Sequence, residues 1–147
     1  MDASLTATLA YAPMRDLMIA AAGNAPYLAR LMGKYPDQLA DICLHGFDDA
    51  WLKFTEKLHA LPVATLDQAS FMLQLRQLKA RAALLIALAD IAGTWKLMDV
   101  TRALSNFAGD AVTAALRHLL HKAAQRGEFA IGNPLEPETD TGIIILG

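Results

Sequence analysis

Residues 142–147, with the sequence GIIILG, constrain the fold of this chain more than any other segment. A run of β-branched residues between two glycines is typical of a buried β-strand, and no second segment of this kind precedes it. A strand needs partners for its backbone N–H and C=O groups. We therefore predict that this segment is the first strand of a sheet domain that the chain does not contain, and that the residues before it are helical.

Composition indicates a soluble domain with more apolar surface than average. The 147 residues are 54% hydrophobic and 19% charged, whereas an average soluble domain has about 25% charged residues. The net charge of −2 disfavours nucleic acid and anionic membranes as partners, because proteins that bind them usually carry basic stripes. No signal peptide is recognisable, and the longest apolar run, residues 82–89, is far shorter than a membrane span. Cys43 has no second cysteine for an internal disulfide, so we expect a cytoplasmic protein.

Prolines, capping residues and glycines predict three short helices in the first part of the chain. Their predicted spans are residues 26–32, 36–45 and 49–59. Gly33 and Gly46 are predicted to end the first two, and Asp48 is the predicted N-cap of the third. A short amphipathic segment around Leu5 and Leu9 precedes them and is interrupted at Pro13.

A long helix is predicted after these short ones. Thr65 and Gln68 have the spacing of a capping box, in which a hydroxyl and an amide side chain each bind a backbone N–H at the helix start. Gly93 is the predicted stop. Because residues 82–89 contain no polar side chain on any face, this part of the helix must be buried.

A second long helix is predicted from about Met98 to Gly127, and the interior Gly109 predicts a kink or a break, since glycine costs about 1 kcal/mol relative to alanine there. Residues 132–141, rich in proline and acidic side chains, predict an exposed linker. The expected fold class is all-α. A helical domain over residues 1–131 contains the two long helices in antiparallel arrangement, and the linker and the unpaired strand follow it.

Three short patterns resemble functional motifs, and we interpret each as structural. They are the His118 and His121 pair at metal-ligand spacing, the Gly33-Lys34 fragment of a phosphate loop, and the Cys43 and His45 pair. The first lacks further ligands nearby in sequence. The second lacks the upstream glycine and strand, and the third places its side chains on different sides of a helix. We therefore assign no catalytic, cofactor-binding or metal-binding residue.

Two charged features are left with open interpretations. Asp90 follows the apolar run, so it must either reach an exposed helix end or have a buried partner, for which Arg102 is the candidate. Arg76, Lys79 and Arg81 form a basic cluster. This cluster is either a solvated side of the long helix or a docking site for an acidic partner.

Three segments in the same order resemble the family of glutamine synthetase adenylyltransferases, also called glutamate-ammonia-ligase adenylyltransferases. The first contains PYLARL and then Tyr35-Pro36, the second contains LQLRQLKARAALLIALADIAG followed by VTRALSNFA, and the third is the terminal GIIILG. Leu85 and Ala89 depart from the family pattern, which often has arginine at these positions. Ordered co-occurrence makes the three segments more specific than any one of them.

The resemblance implies that the terminal strand opens a nucleotidyltransferase domain, whose sheet and metal-binding aspartates would lie beyond Gly147. It implies a parent protein that uses Mg²⁺ and ATP to attach AMP to glutamine synthetase and removes it again, controlled by glutamine and a PII-type signal protein. This chain would be the parent's non-catalytic N-terminal helical segment, without a cofactor. Its exposed apolar surface would pack against the remainder of the parent chain or self-associate.

The alternative interpretation is a self-contained helical interaction module without enzymatic activity. Its docking site would be the basic cluster on the first long helix. The terminal strand would add to the edge of a partner's sheet, as extended peptides do in other complexes.

Overall fold

A computed structural model of the chain describes residues 12–128, 130–139, 141–143 and 145. Its helices are α1 (Ala12–Asn24), α2 (Pro26–Lys34), α3 (Pro36–His59), α4 (Gln68–Ile91) and α5 (Leu97–Gln125). These described residues contain no β-strand, and the predicted all-α class is confirmed. None of the helices in the described ranges is both long and apolar enough to span a membrane.

Two of the predicted segments lie at the ends of the chain. The amphipathic segment around Leu5 and Leu9 lies outside the described residues. At the other end, Ile143 and Ile145 are about half exposed, and neither is in a strand. Residues 144, 146 and 147 lie outside the described part, so the strand over residues 142–147 stays a prediction.

Helix α2 begins where the sequence predicts and ends later. Pro26 occupies its first turn, where a missing N–H and a fixed φ are compatible with a helix. Gly33 lies inside α2, which continues to Lys34. The predicted glycine stop is therefore wrong here, and the chain turns instead at Tyr35, whose backbone N–H donates to the carbonyl of Leu31.

Helix α3 bends sharply at Gly46, which has a φ of 81° and a ψ of 176°. These angles are accessible to glycine and strained for other residues. The bend separates two helical segments, residues 36–45 and 47–59, that match the predicted pair closely. Asp48 was predicted to be the N-cap of the second segment, but it lies inside this segment and does not cap it. Its Oδ1 instead accepts a hydrogen bond from Trp95 Nε1 at 2.7 Å.

The predicted capping box at the start of α4 is wrong by two residues. Asp67 is the N-cap, and its carboxylate accepts hydrogen bonds from the backbone N–H of Ser70 at 3.0 Å and from its hydroxyl at 2.7 Å. These bonds lower the pKa of Asp67. Because the helix begins at Gln68, that side chain occupies the first helical position, whereas a capping box needs it at the third. Thr65 instead donates to the carbonyl of Pro62.

Helix α5 runs from Leu97 to Gln125 without a break at Gly109, so the predicted interruption is wrong. An interior glycine costs about 1 kcal/mol, which is small beside the packing of a 29-residue helix against α3 and α4. Gly127, with a φ of 75°, follows the helix as predicted.

The core lies where the second half of α4 packs against the other helices. Leu84, Leu85, Leu88 and Ala89 have no exposed surface, whereas Ala83 and Ala87 are partly exposed. The apolar run is therefore buried around most of the helix and not on all sides as predicted. Helices α4 and α5 are antiparallel, because aromatic rings near the start of α4 and the end of α5 are stacked, while a connection of five residues joins their other ends.

Candidate functional site

A cleft of about 240 Å³ with several charged side chains in its lining lies between α3 and α4. Apolar side chains from both helices, including Phe54 and Leu78, line part of it. Three cationic side chains and two carboxylates line the remainder, namely Lys53, Lys57, Arg81, Asp37 and Asp41. Oppositely charged groups within one cleft either tie elements together or bind a ligand, and their contacts distinguish these roles.

Arg81 ties α4 to the corner between α2 and α3. Its Nη1 donates to Asp37 Oδ2 at 2.8 Å, and its Cζ lies 4.4 Å from the ring centroid of Tyr35. The backbone carbonyl of Arg81 accepts a hydrogen bond from Gln38 Nε2 at 2.9 Å. The three residues of the predicted basic cluster therefore do not share one role. Its other two members are exposed on the surface, whereas Arg81 holds two helices together.

A second group of charges clamps the bend in α3. Lys53 Nζ donates to Asp41 Oδ1 at 2.8 Å and lies 3.1 Å from His45 Nδ1. Burial raises the pKa of Asp41, but the hydrogen bond and charge of Lys53 together with His45 outweigh this effect and leave the pKa below its ordinary value. Because Asp41 precedes Gly46 and Lys53 follows it, the ion pair joins the two segments across the bend.

The same contacts bear on the Cys43 and His45 pair. The imidazole of His45 faces Asp41, with 2.9 Å between Nδ1 and Oδ1. Cys43 is half-buried and packs against the hydrophobic core. Both side chains thus make contacts within the fold, and the structural interpretation of this pair stays a prediction.

His118 is a buried side chain of the core, with 2% of its surface exposed. Its Nδ1 lies 2.8 Å from the carbonyl oxygen of Val63, and its ring stacks on Phe71 at 4.2 Å between centroids. We assign the proton to Nδ1, because only a protonated nitrogen can donate to a carbonyl. His118 therefore anchors the connection between α3 and α4 onto α5. In the described ranges, no three His, Cys, Asp or Glu side chains come together in a group that could hold a metal ion.

Asp90 lies on the surface at the end of α4, so the exposed-end alternative is correct. The candidate partner is wrong, because Arg102 Nη1 donates instead to Asp99 Oδ1 at 3.2 Å. Both residues belong to the first turns of α5, and a contact three residues apart forms within one helix.

An aromatic cluster that the sequence patterns did not reveal joins α3, α5 and the connection before α5. Trp51 stacks on Phe54 with 5.1 Å between centroids and meets Trp95 edge-on at 5.7 Å. Phe54 lies 5.9 Å from Phe107. The available signal was that the chain has only two tryptophans, each of which needs a hydrogen-bond acceptor if it is buried. For Trp95 that acceptor is Asp48.

The predicted linker is held on α5 at one point. Residues 132–136 are exposed as expected, but Pro137 is fully buried. The carboxylate of Glu138 accepts hydrogen bonds from Arg117 Nε at 2.9 and 3.0 Å. This contact lowers the pKa of Glu138 and raises that of Arg117. The segment is therefore anchored rather than free along its whole length.

Comparisons of the sequence with known proteins identify a family and several relatives that match this chain. The family model described as glutamate-ammonia ligase adenylyltransferase matches residues 15–147. The chain is 40% identical over 134 residues to the bifunctional glutamine synthetase adenylyltransferase/adenylyl-removing enzyme of Rhodopseudomonas palustris, a match that covers 89% of this chain and 14% of that protein. No solved structure matches the chain.

Further relatives carry the same name. The protein of Bradyrhizobium diazoefficiens is 37% identical over 145 residues, which cover 99% of this chain and 15% of that protein. That of Rhizobium meliloti is 32% identical over 144 residues, or 92% of this chain and 14% of that protein. The chain thus spans about one seventh of the length of these relatives. By the extent of these matches, the chain belongs to the glutamate-ammonia ligase adenylyltransferase family.

Proposed function

We propose that this chain is the N-terminal helical segment of a bifunctional enzyme that attaches AMP to glutamine synthetase and removes it, and that the segment itself is non-catalytic. The observation that carries the proposal is the match of 89–99% of the chain to proteins of that name, of which it covers only 14–15%. The parent would act in the cytoplasm as a regulator of nitrogen metabolism, under a PII-type signal protein.

The contacts of the charged side chains support a structural role. The carboxylates of Asp37, Asp41 and Glu138 each face a cation that belongs to another helix or to the other side of a bend. Groups committed to such pairs hold elements in position. A catalytic acid or base must instead lie within hydrogen-bond reach of a substrate proton.

Magnesium and ATP are expected for the parent enzyme, and the carboxylates that line the cleft do not offer a Mg²⁺ site. Mg²⁺ is usually bound by one or two carboxylates together with substrate phosphates, and the carboxylates of the cleft are bound to lysine and arginine. Across the described part of the chain, no acidic cluster that could hold a metal ion is formed.

An assay with glutamine synthetase tests the proposal. The full-length parent and the chain of residues 1–147, confirmed to be helical by circular dichroism, are incubated with glutamine synthetase, Mg²⁺ and ATP, and attachment and release of AMP are followed by the mass of glutamine synthetase. We expect both reactions from the parent and neither from the segment.

Two outcomes of this assay contradict the proposal. Transfer of AMP by residues 1–147 alone would refute the non-catalytic assignment. A parent that leaves glutamine synthetase unmodified, together with a segment that binds another protein by itself, would favour the interaction module.

A further inference from the structure

Helix α5 carries an exposed apolar stripe along most of its length. The residues of this stripe are three, four or seven positions apart, so they lie on one face of the helix. We call them the α5 stripe: Leu97, Leu104, Ala108, Val112, Ala115 and Leu119. The three leucines keep 50–74% of their surface exposed. At 1.5 Å per residue the stripe is about 33 Å long.

Two other sides of α5 contact the rest of the fold. Val100, Ala103 and Ala114 are buried. Asp110 faces α3, with 3.1 Å between its Oδ2 and Nε2 of His59, and Arg117 binds Glu138 of the following segment. The α5 stripe contains no charged residue, and its residues are exposed except for the half-buried Ala115.

An exposed stripe of this extent differs from scattered apolar residues. Single exposed leucines are normal on protein surfaces, because the polar residues of a chain do not suffice to cover it. A contiguous apolar surface marks a site of interaction. An amphipathic helix whose apolar side lies away from its own core is explained by a second packing partner.

We infer that the α5 stripe is the surface on which the part of the parent polypeptide outside residues 1–147 packs. The inference rests on the proposed function, in which this chain is one segment of a longer enzyme. Its relatives devote 14–15% of their length to the matched segment. Most of their polypeptide therefore lies outside it and is available to cover the stripe.

The anchored segment after α5 supports the same occupant. Buried Pro137 and the Arg117–Glu138 ion pair fix this segment on α5. Ile143 and Ile145 follow within a few residues and are 49% and 53% exposed. Seven residues reach at most about 25 Å, so polypeptide that continues past residue 145 in the parent starts within that distance of Glu138. The stripe and the two isoleucines are thus apolar surfaces available to one neighbouring body.

Hydroxyl-radical footprinting of the full-length parent tests the inference, because it reports the solvent exposure of individual side chains. Leu52 on α3 and Leu119 in the stripe are both 58% exposed in this structure, so Leu52 is a matched internal reference. We expect Leu104 and Leu119 to be oxidised at least threefold more slowly than Leu52. Equal rates would overturn the inference, and so would protection that disappears on dilution, because that result would indicate a second copy of the chain as the occupant.

Paired variants of the full-length parent provide a second test. We expect Leu104→Glu with Leu119→Glu to accelerate protease cleavage between this segment and the remainder of the parent at least tenfold. The reason is that a carboxylate is unfavourable in a buried apolar interface, so the two bodies would separate. Asn106→Glu with Thr113→Glu places the same charges on exposed positions outside the stripe and should leave the rate unchanged. Equal cleavage of the two variants would count against the docking surface.

These measurements are independent of AMP transfer. A parent that modifies glutamine synthetase while its stripe remains fully reactive would refute the docking surface and leave the proposed function intact. A protected stripe in a parent that transfers no AMP would refute the proposed function and leave the packing surface in place.

Discussion

The guanidinium of Arg81 lies over the ring of Tyr35, with 4.4 Å between Cζ and the ring centroid. Tyr35 is the single residue between α2 and α3, and its side chain is buried. A cation above an aromatic face contributes about 0.5–2 kcal/mol, depending on exposure. This contact, with the bond to Asp37, fixes the corner between two short helices on the long helix α4.

Arg81→Ala should lower the free energy of unfolding by about 1–2 kcal/mol, because it removes the stacking contact and the ion pair together. Arg76→Ala is the matched control, since Arg76 lies exposed on the same helix, and it should change stability by less than about 0.5 kcal/mol. Urea denaturation followed by circular dichroism measures both values. Equal losses in the two variants would show that Arg81 has no anchoring role.

Two glycine substitutions should have opposite signs. Gly46→Ala should destabilise the protein by about 1–3 kcal/mol, because alanine is strained at the backbone angles of the bend. Gly109→Ala should stabilise it by about 0.5–1 kcal/mol, because Gly109 lies inside a continuous helix. Added Cβ atoms would meet nothing within 4 Å at either position, so the comparison isolates the backbone. Thermal melting of both variants measures the difference, and a stabilised Gly46→Ala would contradict the observed bend.

Asp48→Ala should lower the free energy of unfolding by about 1–2 kcal/mol, because it leaves the indole N–H of Trp95 without its acceptor. Asp49→Ala removes a neighbouring exposed carboxylate from the same helix and should have less than half this effect. A double-mutant cycle with Trp95→Phe measures the coupling. Additive losses in the cycle would mean that the hydrogen bond adds no stability.

The attachment of residues 137–138 to α5 should weaken in acid. The hydrogen bond from Arg117 holds the pKa of Glu138 below its ordinary value of 4.5, so the unfolded chain takes up this proton before the folded chain does. The stabilisation is complete above the ordinary pKa and is lost as pH falls through the folded pKa. Glu138→Gln should remove this part of the acid dependence.

Denaturation midpoints between pH 7 and pH 3 measure this dependence for both proteins. Glu128→Gln serves as the control, because Glu128 has a lowered pKa from its contact with Arg126 but does not contact residues 137–138. A wild-type curve that the Glu138→Gln curve follows at every pH would show that the ion pair does not attach this segment.

The course of the chain was predictable where one residue type determines the backbone locally. Pro26, Pro36 and Gly93 mark helix boundaries because a fixed φ or a left-handed φ has the same effect in any context. The helix end predicted at Gly33 and the interruption predicted at Gly109 were wrong, because the packing of a helix along its whole length outweighs the small cost of one interior glycine. The predicted capping box was wrong because Asp67, and not Thr65, is the N-cap of α4.

The contacts of the candidate site were harder to predict for one physical reason. Periodicity places residues on a face of their own helix, but it does not say which face of another helix comes opposite. Arg81 was therefore grouped with its neighbours in sequence, although its partner Asp37 lies 44 residues away. His118 was interpreted as structural from its sequence context, whereas its burial and its stacking on Phe71 depend on how α4 and α5 meet.

At Gly46 a single residue takes the place of a loop between the two segments of α3. The position of this residue determines the directions in which the side chains of the second segment point around the helix axis. An extra residue inserted at the bend would turn the second segment by about 100° about its axis. Asp48 would then face away from Trp95, and Phe54 would face away from Phe107. The length of this corner, more than the identity of the side chains around it, determines which surfaces of α3 and α5 come together.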